Sequence, residues 1–408
     1  MKLLFVHQHL GEFGGAEINI KLAAKELHAR GHTAALLYCQ ATGRNESRWR
    51  EIFTKCFCLP TRGNLEVVEA VLDQFEPDLI YLHNITDLEV LKALLDSHLP
   101  VVRMVHDHAM YCMRGYKYNY FTRQICTRAF SPYCVFPCLA SLGRNHARGL
   151  PFKWVSYAEK RREIELNQRC ERLVVYSEYL KQELVGNGFN PAKIEICVPI
   201  RSRRNQEQVS SFSDRNLILF AGQLIRGKGV DVLLQALAKV KTHFECVILG
   251  EGSHRGHCEE LCRRLGLKER VKFQGYVLPA ELKHFYLQAS VFVMASLWPE
   301  PFGMAGPEAM RYGLPVVAFN AGGIREWLQD GQNGYLVDWG NTDLFAQRVD
   351  ALLSDKELAR AMGKRALQSV KRFDATLQVR KLEDLFQRVV HPTRENLTPS
   401  PLEQPICL

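Results

Sequence analysis

Two carboxylates, Glu300 and Glu308, stand eight positions apart in "PEPFGMAGPEAM", separated by a loop made almost wholly of Gly, Met, Ala and Pro. A carboxylate accepts hydrogen bonds from two neighbouring hydroxyls, as on a ribose or a sugar ring. The amides of residues 303 to 306 can bind anionic oxygen. Glu308 lies in the first turn of a helix expected to start near Pro307, where the helix dipole would account for it alone. That leaves Glu300 without an explanation.

A second stretch, "LFAGQLIRGKGVDVLL", reads as a strand ending at Gly222, a short loop with Arg226 and Lys228, and a helix from about Gly229. Two cations on a Gly-rich loop at a helix N-terminus suit a diphosphate, although a solvated basic turn has the same composition. Gly in "ILGEGS" and "FQGYV" lets a flat ligand approach the backbone at two more strand ends. Together these features fit a ligand with a sugar at one end, phosphates in the middle and a ribose beyond, which is a nucleotide sugar. "MVHDH" adds His106, Asp107 and His108, readable as packed histidines or as half of a metal site. Cys112, Cys126, Cys134 and Cys138 could ligate zinc, but they lack a CxxC pair, and packed or partly exposed thiols are the plainer reading.

The elements that must position these residues alternate. "KLLFV", "AALLYC", "PDLIYLH", "PVVRMVH", "RLVVYS" and "KIEICV" read as buried strands, with helical patterns such as "NLEVVEAVLDQF", "DLEVLKALLDSH" and "EYLKQELVGNG" between them. That rhythm indicates a parallel sheet covered on both faces. Residues 115–160 break it with aromatics, cysteines and Arg, as an insertion would. After the polar stretch 201–215, read as a linker, the pattern restarts with "NLILFAGQ", "ECVILGEG", "VKFQGYV", "VFVMAS", "PVVAFNAGG" and "NGYLVD". The expected fold is therefore α/β, with two doubly wound domains at 1–205 and 206–375. A helix near 376–391 is expected to return to the first domain, and the tail 392–408 to be disordered.

At 408 residues, 47% hydrophobic and 24% charged, the chain is long enough for two sizeable cores. Its formal charge of +9 favours an anionic acceptor or membrane surface. The basic stretches, at 144–149, 159–163 and 201–204, carry no nucleic-acid motif, so nucleic acid is not an expected partner. No apolar run reaches the ~18 residues of a spanning helix, and a cytoplasmic protein, peripheral to the membrane's inner face, is expected.

In order and spacing, "FGGAE", "GQLIRGKGVDVLL", "EPFGMAGPE" and "EAMRYGLPVVAFNAGGIREWLQDGQNGYLV" resemble the glycosyltransferases of family 4. The resemblance covers nearly the whole chain and is densest from 217 to 374. It implies the GT-B architecture of two facing Rossmann-like domains with a cleft between them. It further implies that Glu308 binds the ribose and Glu300 the transferred sugar, with Phe302, Gly303, Met304, Ala305 and Gly306 holding that sugar and the distal phosphate. Gly222, Gln223, Arg226 and Lys228 would meet the diphosphate. Many relatives carry Arg where this chain has Gln223, and Arg226 is expected to compensate. Gly250, Glu251, Gly252, Tyr276 and Val277 would line the base site. Gly14 and Gly15 would approach the diphosphate or the acceptor, and His106 would contact the sugar.

The resemblance thus implies a retaining hexosyltransferase using a UDP- or GDP-sugar and a glycan or lipid-linked acceptor. The chain contains no DxD, in keeping with an enzyme that needs neither metal nor cofactor. A nucleotide-sugar 2-epimerase of related architecture and a non-catalytic nucleotide-sugar-binding protein are the alternatives. A nicotinamide enzyme would require a GxGxxG turn that neither domain's first strand supplies.

Overall fold

The apolar runs form the interior strands of two parallel sheets. The computed structural model describes residues 1–12, 14–59, 65–119, 121–144, 152–199, 208–212 and 214–392. These fall into two units: described residues within 1–115, 129–202 and from 375 onward form the first, and those within 116–128 and 203–374 the second.

The first unit's sheet contains β1 (Lys2–Leu10), β2 (Thr33–Ala41), β3 (Lys55–Cys58), β4 (Leu79–Leu82) and β5 (Val101–Met104). A small antiparallel hairpin, β6 (Leu142–Arg144) and β7 (Phe152–Trp154), stands apart, and β8 (Arg172–Val175) and β9 (Ile194–Ile196) complete the sheet. Its order is β3-β2-β1-β4-β5-β8-β9, with every pairing parallel. Parallel neighbours require long crossovers. Most are helical: α1 (Gly15–His28), α2 (Glu46–Ile52), α3 (Leu65–Phe75), α4 (Leu88–Asp96), α5 (Tyr157–Gln168) and α6 (Glu178–Gly186). Helices α3 and α4 bury Val68, Val71 and Phe75, and Val90, Leu91 and Leu94, at helical spacing against Leu4, Val6, Ile80 and Leu82. Asp87 caps α4, its carboxylate accepting from the amides of Glu89 and Val90 at 3.0 and 3.3 Å.

The second unit follows the same plan. It comprises β10 (Leu217–Ala221), α7 (Val230–Leu237), β11 (Glu245–Leu249), α8 (Arg255–Arg264), β12 (Val271–Gly275), α9 (Pro279–Gln288) and β13 (Val291–Met294). Then come α10 (Ala305–Met310), β14 (Val316–Phe319), β15 (Gly334–Val337), α11 (Thr342–Ser354) and α12 (Lys356–Ser369). The sheet order is β12-β11-β10-β13-β14-β15, again all parallel. The order reverses between β1 and β4 in one unit and between β10 and β13 in the other. Ligands of such sheets bind outside the strand ends at these switch points.

The last helix, α13 (Ala375–Val390), belongs to the first unit. Glu383 pairs there with Arg30 and His32, and Phe386 packs its ring edge-on to Tyr81.

Several details differ from the sequence reading. Residues 116–128, assigned above to the first domain, group with the second unit, because Tyr118 is buried in that unit's core and Arg123 pairs with Asp231. Helix α10 begins at Ala305, two residues before Pro307. Strand β3 and helix α2 escaped notice, since four residues of "KCFC" and seven of "ESRWREI" are too short to show a period. Most of the linker, most of the basic stretch 144–149 and the tail from 393 lie outside the described residues. Among the described residues no helix is long and apolar enough to cross a membrane.

Candidate functional site

At the switch point of the second unit, the loops after β10 and β13 lie against each other. Residues Arg226–Lys228 form one turn of 3-10 helix, whose central carbonyl, on Gly227, accepts from the amides of Leu297 and Trp298 at 2.8 and 3.0 Å. Gly229 is left-handed at φ +67°, and a Cβ there would stand 1.9 Å from the Ala295 carbonyl oxygen, so only Gly fits. This contact brings Lys228 to Glu300. Lys228 Nζ, Ser296 Oγ and Trp298 Nε1 all donate to Glu300 Oε1, at 2.6, 2.5 and 2.9 Å. Lys228 Nζ also stands 4.8 Å from the centre of the Trp298 ring.

Glu300 is 4% exposed. Burial pushes its pKa up, but the charge and hydrogen bond of Lys228, with Ser296 and Trp298, outweigh burial and hold it below the ordinary carboxylate value. It is an ionised carboxylate whose three donors converge on Oε1, away from Oε2. Its backbone is pinned too: the Glu300 amide donates to Ala321 O, and its carbonyl accepts from Gly323 at 2.7 Å.

The loop that follows is set by Trp327. The indole Nε1 donates to Phe302 O at 2.6 Å, and a Cβ on Gly306 would meet the same ring at 2.0 Å. Gly303 is left-handed at φ +78°. Glu308, half-buried, lies in the first turn of α10. The Phe302 side chain is buried against Phe373 and contributes its backbone alone to the loop surface, whereas Met304 and Ala305 are half-buried.

Neighbouring strand ends complete the second unit's group. Gly222 donates to Leu249 O, and a Cβ on Gly250 would fall 1.9 Å from Gly222 O. A Cβ on Gly252 would stand 2.4 Å from Leu224 O, and Gln223 is exposed. Glu251 pairs with Arg255, Val277 is half-buried and Tyr276 is 70% exposed.

In the first unit, Gly14 caps α1 and donates to Glu17 Oε2 at 2.8 Å; Gly15, the first helical residue, is exposed. Glu17 Oε1 meets His7 Nε2 at 3.1 Å. Burial raises the Glu17 pKa, but the His7 bond and charge and the Gly14 amide overcome it and leave the carboxyl below its usual value. His106 is 7% exposed, with both ring nitrogens engaged: Nε2 with His83 Nδ1 at 2.9 Å and Nδ1 with the Tyr176 hydroxyl at 2.7 Å. Burial, then the nearby His7 and Arg103, lower its pKa to about 3, and His83 is likewise held well below the ordinary value, so both rings are neutral near pH 7. The expected sugar contact by His106 would require breaking one of these bonds.

Among the described residues, the groups close enough to share a metal ion are His7, His9 and Glu17, and Asp231, His254 and His257. Neither contains His106 or any of the four clustered cysteines. Asp231 is already neutralised by Arg123, which donates twice to it at 2.6 and 2.9 Å.

The structure thus gathers Lys228, Glu300 and the 222–229, 250–252 and 295–306 segments at one switch point. Sequence reading missed Ser296, Trp298 and Trp327. Ser296 and Trp298 had a usable signal, as polar or indole donors within four residues of Glu300. Trp327 had none, being 21 positions beyond the Gly306 it packs on.

Comparison with known proteins bears on both units. Residues 13–198 match the family model "Glycosyltransferase Family 4", and residues 202–369 match "Glycosyl transferases group 1". An uncharacterized glycosyltransferase of Methanocaldococcus jannaschii is 36% identical over 178 residues, 43% of this chain and 45% of the relative. A D-inositol 3-phosphate glycosyltransferase of Corynebacterium kroppenstedtii is 30% identical over 254 residues, 56% of this chain and 55% of the relative. The chain therefore spans about half the length of these curated relatives. The crystal structure of Anabaena HepE in complex with UDP superposes with a TM-score of 0.74 at 22% identity, covering 95% of this chain and 100% of that one, a likeness of fold. The two family models leave only the chain's ends and a short join unmatched, and the chain belongs to the family 4 glycosyltransferases of GT-B fold.

Proposed function

We propose that this chain is a retaining glycosyltransferase that moves a hexose-type sugar from a UDP- or GDP-sugar to a glycan or lipid-linked acceptor, working at the periphery of a membrane. The observation that carries this reading is Glu300. It is a buried, ionised carboxylate, oriented through one oxygen by Lys228, Ser296 and Trp298 at the end of β13, with a glycine loop beside it.

Transfer from such a donor builds positive charge at the anomeric carbon and negative charge on the departing diphosphate. Preplaced donors stabilise the latter most effectively. In this reading Lys228 and Arg226, with the amides of Gly303 to Gly306, meet that charge without a metal. Glu300 orients the sugar's hydroxyls and Glu308 accepts from the ribose. Retention follows from attack on the face the leaving group departs from, with a phosphate oxygen taking the acceptor's proton. His106 is assigned to positioning, since its ring is committed to His83 and Tyr176.

Thermal shift with UDP, GDP, ADP and their sugar conjugates, without added metal, tests the donor site. A ligand at a hundredfold its dissociation constant adds about 2.7 kcal/mol. One nucleotide class should stabilise the protein, and Glu308→Ala should abolish the shift. No shift with any nucleotide, or one indifferent to Glu308→Ala, would overturn the assignment.

A further inference from the structure

His7 and His9 stand two positions apart on β1, so both side chains leave the same face of the strand. Glu17, the third residue of α1, reaches back to them. Gly11 makes that return possible by turning the chain off the strand at φ +108°, where a Cβ would stand 2.1 Å from Thr42 Oγ1. Two imidazoles and a carboxylate are thereby gathered, with one ligand atom of each residue within 4.8 Å of the others.

Glu17 Oε1 is the meeting point, 3.1 Å from His7 Nε2 and 3.8 Å from His9 Nδ1. The first separation is a hydrogen bond, and the second is too long for one. Ligand atoms around a tetrahedral zinc ion, each about 2.0–2.1 Å from the metal, stand about 3.3 Å apart. The two observed separations lie on either side of that value. Glu17 Oε2 accepts from the Gly14 amide at 2.8 Å, which fixes the carboxylate as outer-shell bonds do in metal sites and leaves Oε1 for an ion. The side chains of His7 and Glu17 are 1% and 7% exposed and that of His9 28%, so an ion has an entry path past His9 and water to complete its coordination. In the second three-residue group, by contrast, the Asp231 carboxylate is already held by Arg123.

We propose that His7, His9 and Glu17 bind one divalent transition-metal ion of the zinc class, which ties the end of β1 to the first turn of α1. Two imidazoles and one carboxylate suit Zn²⁺, Co²⁺ and Ni²⁺ better than Mg²⁺ or Ca²⁺, which take oxygen ligands. The ion has no part in the sugar transfer proposed above, and the inference does not rest on that reading. Ligation through Nε2 puts the ring proton of His7 on Nδ1, which has no hydrogen-bond partner among the described residues. The site should therefore bind about 10–100-fold more weakly than one with a complete outer shell.

Titration of the metal-free whole chain with Co²⁺, followed by visible absorption and then by competition with Zn²⁺, tests it. A single ion should bind, Zn²⁺ should displace it, and no thiolate-to-cobalt charge-transfer band should appear. His9→Ala, at the rim of the cluster, should keep the metal-free melting temperature and lose at least about tenfold in affinity, as should the volume-conserving His9→Gln. His257→Ala, in the second group, should bind as wild type does. Wild-type protein that leaves Co²⁺ unbound, His9 variants that bind it normally, or a spectrum showing thiolate ligation would overturn the proposal, the last by assigning the ion to the cysteines. Stabilisation by nucleotides is read separately on metal-free protein: its failure would count against the transferase and not against the ion site.

Discussion

The neutral pair His83 and His106 should make the first unit sensitive to mild acid. In the unfolded chain a histidine takes up its proton near pH 6.5, whereas folded His106 resists protonation until about pH 3. Between those values the unfolded state binds the extra proton, so stability is complete above pH 6.5 and falls as pH drops through that value. For His106 alone, linkage gives a loss of about 2 kcal/mol between pH 7 and pH 5. For a unit of this size, that lowers the melting temperature by roughly 4–8 °C. His83, held down in the same direction, steepens the slope. Asp107, whose carboxyl burial holds above its ordinary value, opposes it toward the acid end. The decisive quantity is therefore the difference between wild type and His106→Gln. Melting curves at several pH values should show the variant losing about 2 kcal/mol less across the interval. Parallel pH dependences would mean that His106 is protonated in the folded protein and that the buried chain to Tyr176 is wrongly described.

Other perturbations follow from particular contacts. Glu300→Gln should cut donor turnover by about a hundredfold or more while changing nucleotide affinity little, because in the proposed reading Glu300 orients the transferred sugar and Glu308 the ribose; wild-type turnover would remove Glu300 from the chemistry. Gly306→Ala drives a methyl into the Trp327 ring, at a cost of about 1–3 kcal/mol, and should be partly relieved by Trp327→Leu; a neutral effect on denaturant midpoint would refute that packing. Arg123→Ala leaves the buried Asp231 carboxylate with only His254, 3.7 Å away, as a charged neighbour and should cost about 3 kcal/mol, with Asp231→Asn recovering part of it. An additive double variant would show that the pair is not coupled.

Much of the architecture was legible because its signals are local. A parallel strand buried on both faces must be apolar throughout, so "LLFV", "LIYL" and "VFVM" declared themselves, and glycine-rich segments after "LILFA" and "VFVM" marked the loops that lie against each other at the switch point. The E-x7-E loop and the RGKG turn were equally readable, since a left-handed Gly229 or Gly303 is a property of a single residue.

Tertiary structure alone decided which distant groups meet. That Lys228 neutralises Glu300, 72 positions away, follows from β10 and β13 lying side by side across the order reversal, a relation no local pattern encodes. That His106 faces inward onto His83 and Tyr176 follows from β4, β5 and β8 being consecutive in the sheet. That residues 116–128 join the second unit follows from a buried Tyr118 and one ion pair spanning 108 positions. The longer strands and helices and the loop chemistry came from the sequence alone, because hydrophobic period and backbone permissiveness act over a few residues, whereas β3, α2 and the β6–β7 hairpin are too short to show a period. The partners of each charged side chain, and hence their ionisation, were settled by sheet order and by burial, which act across the whole unit.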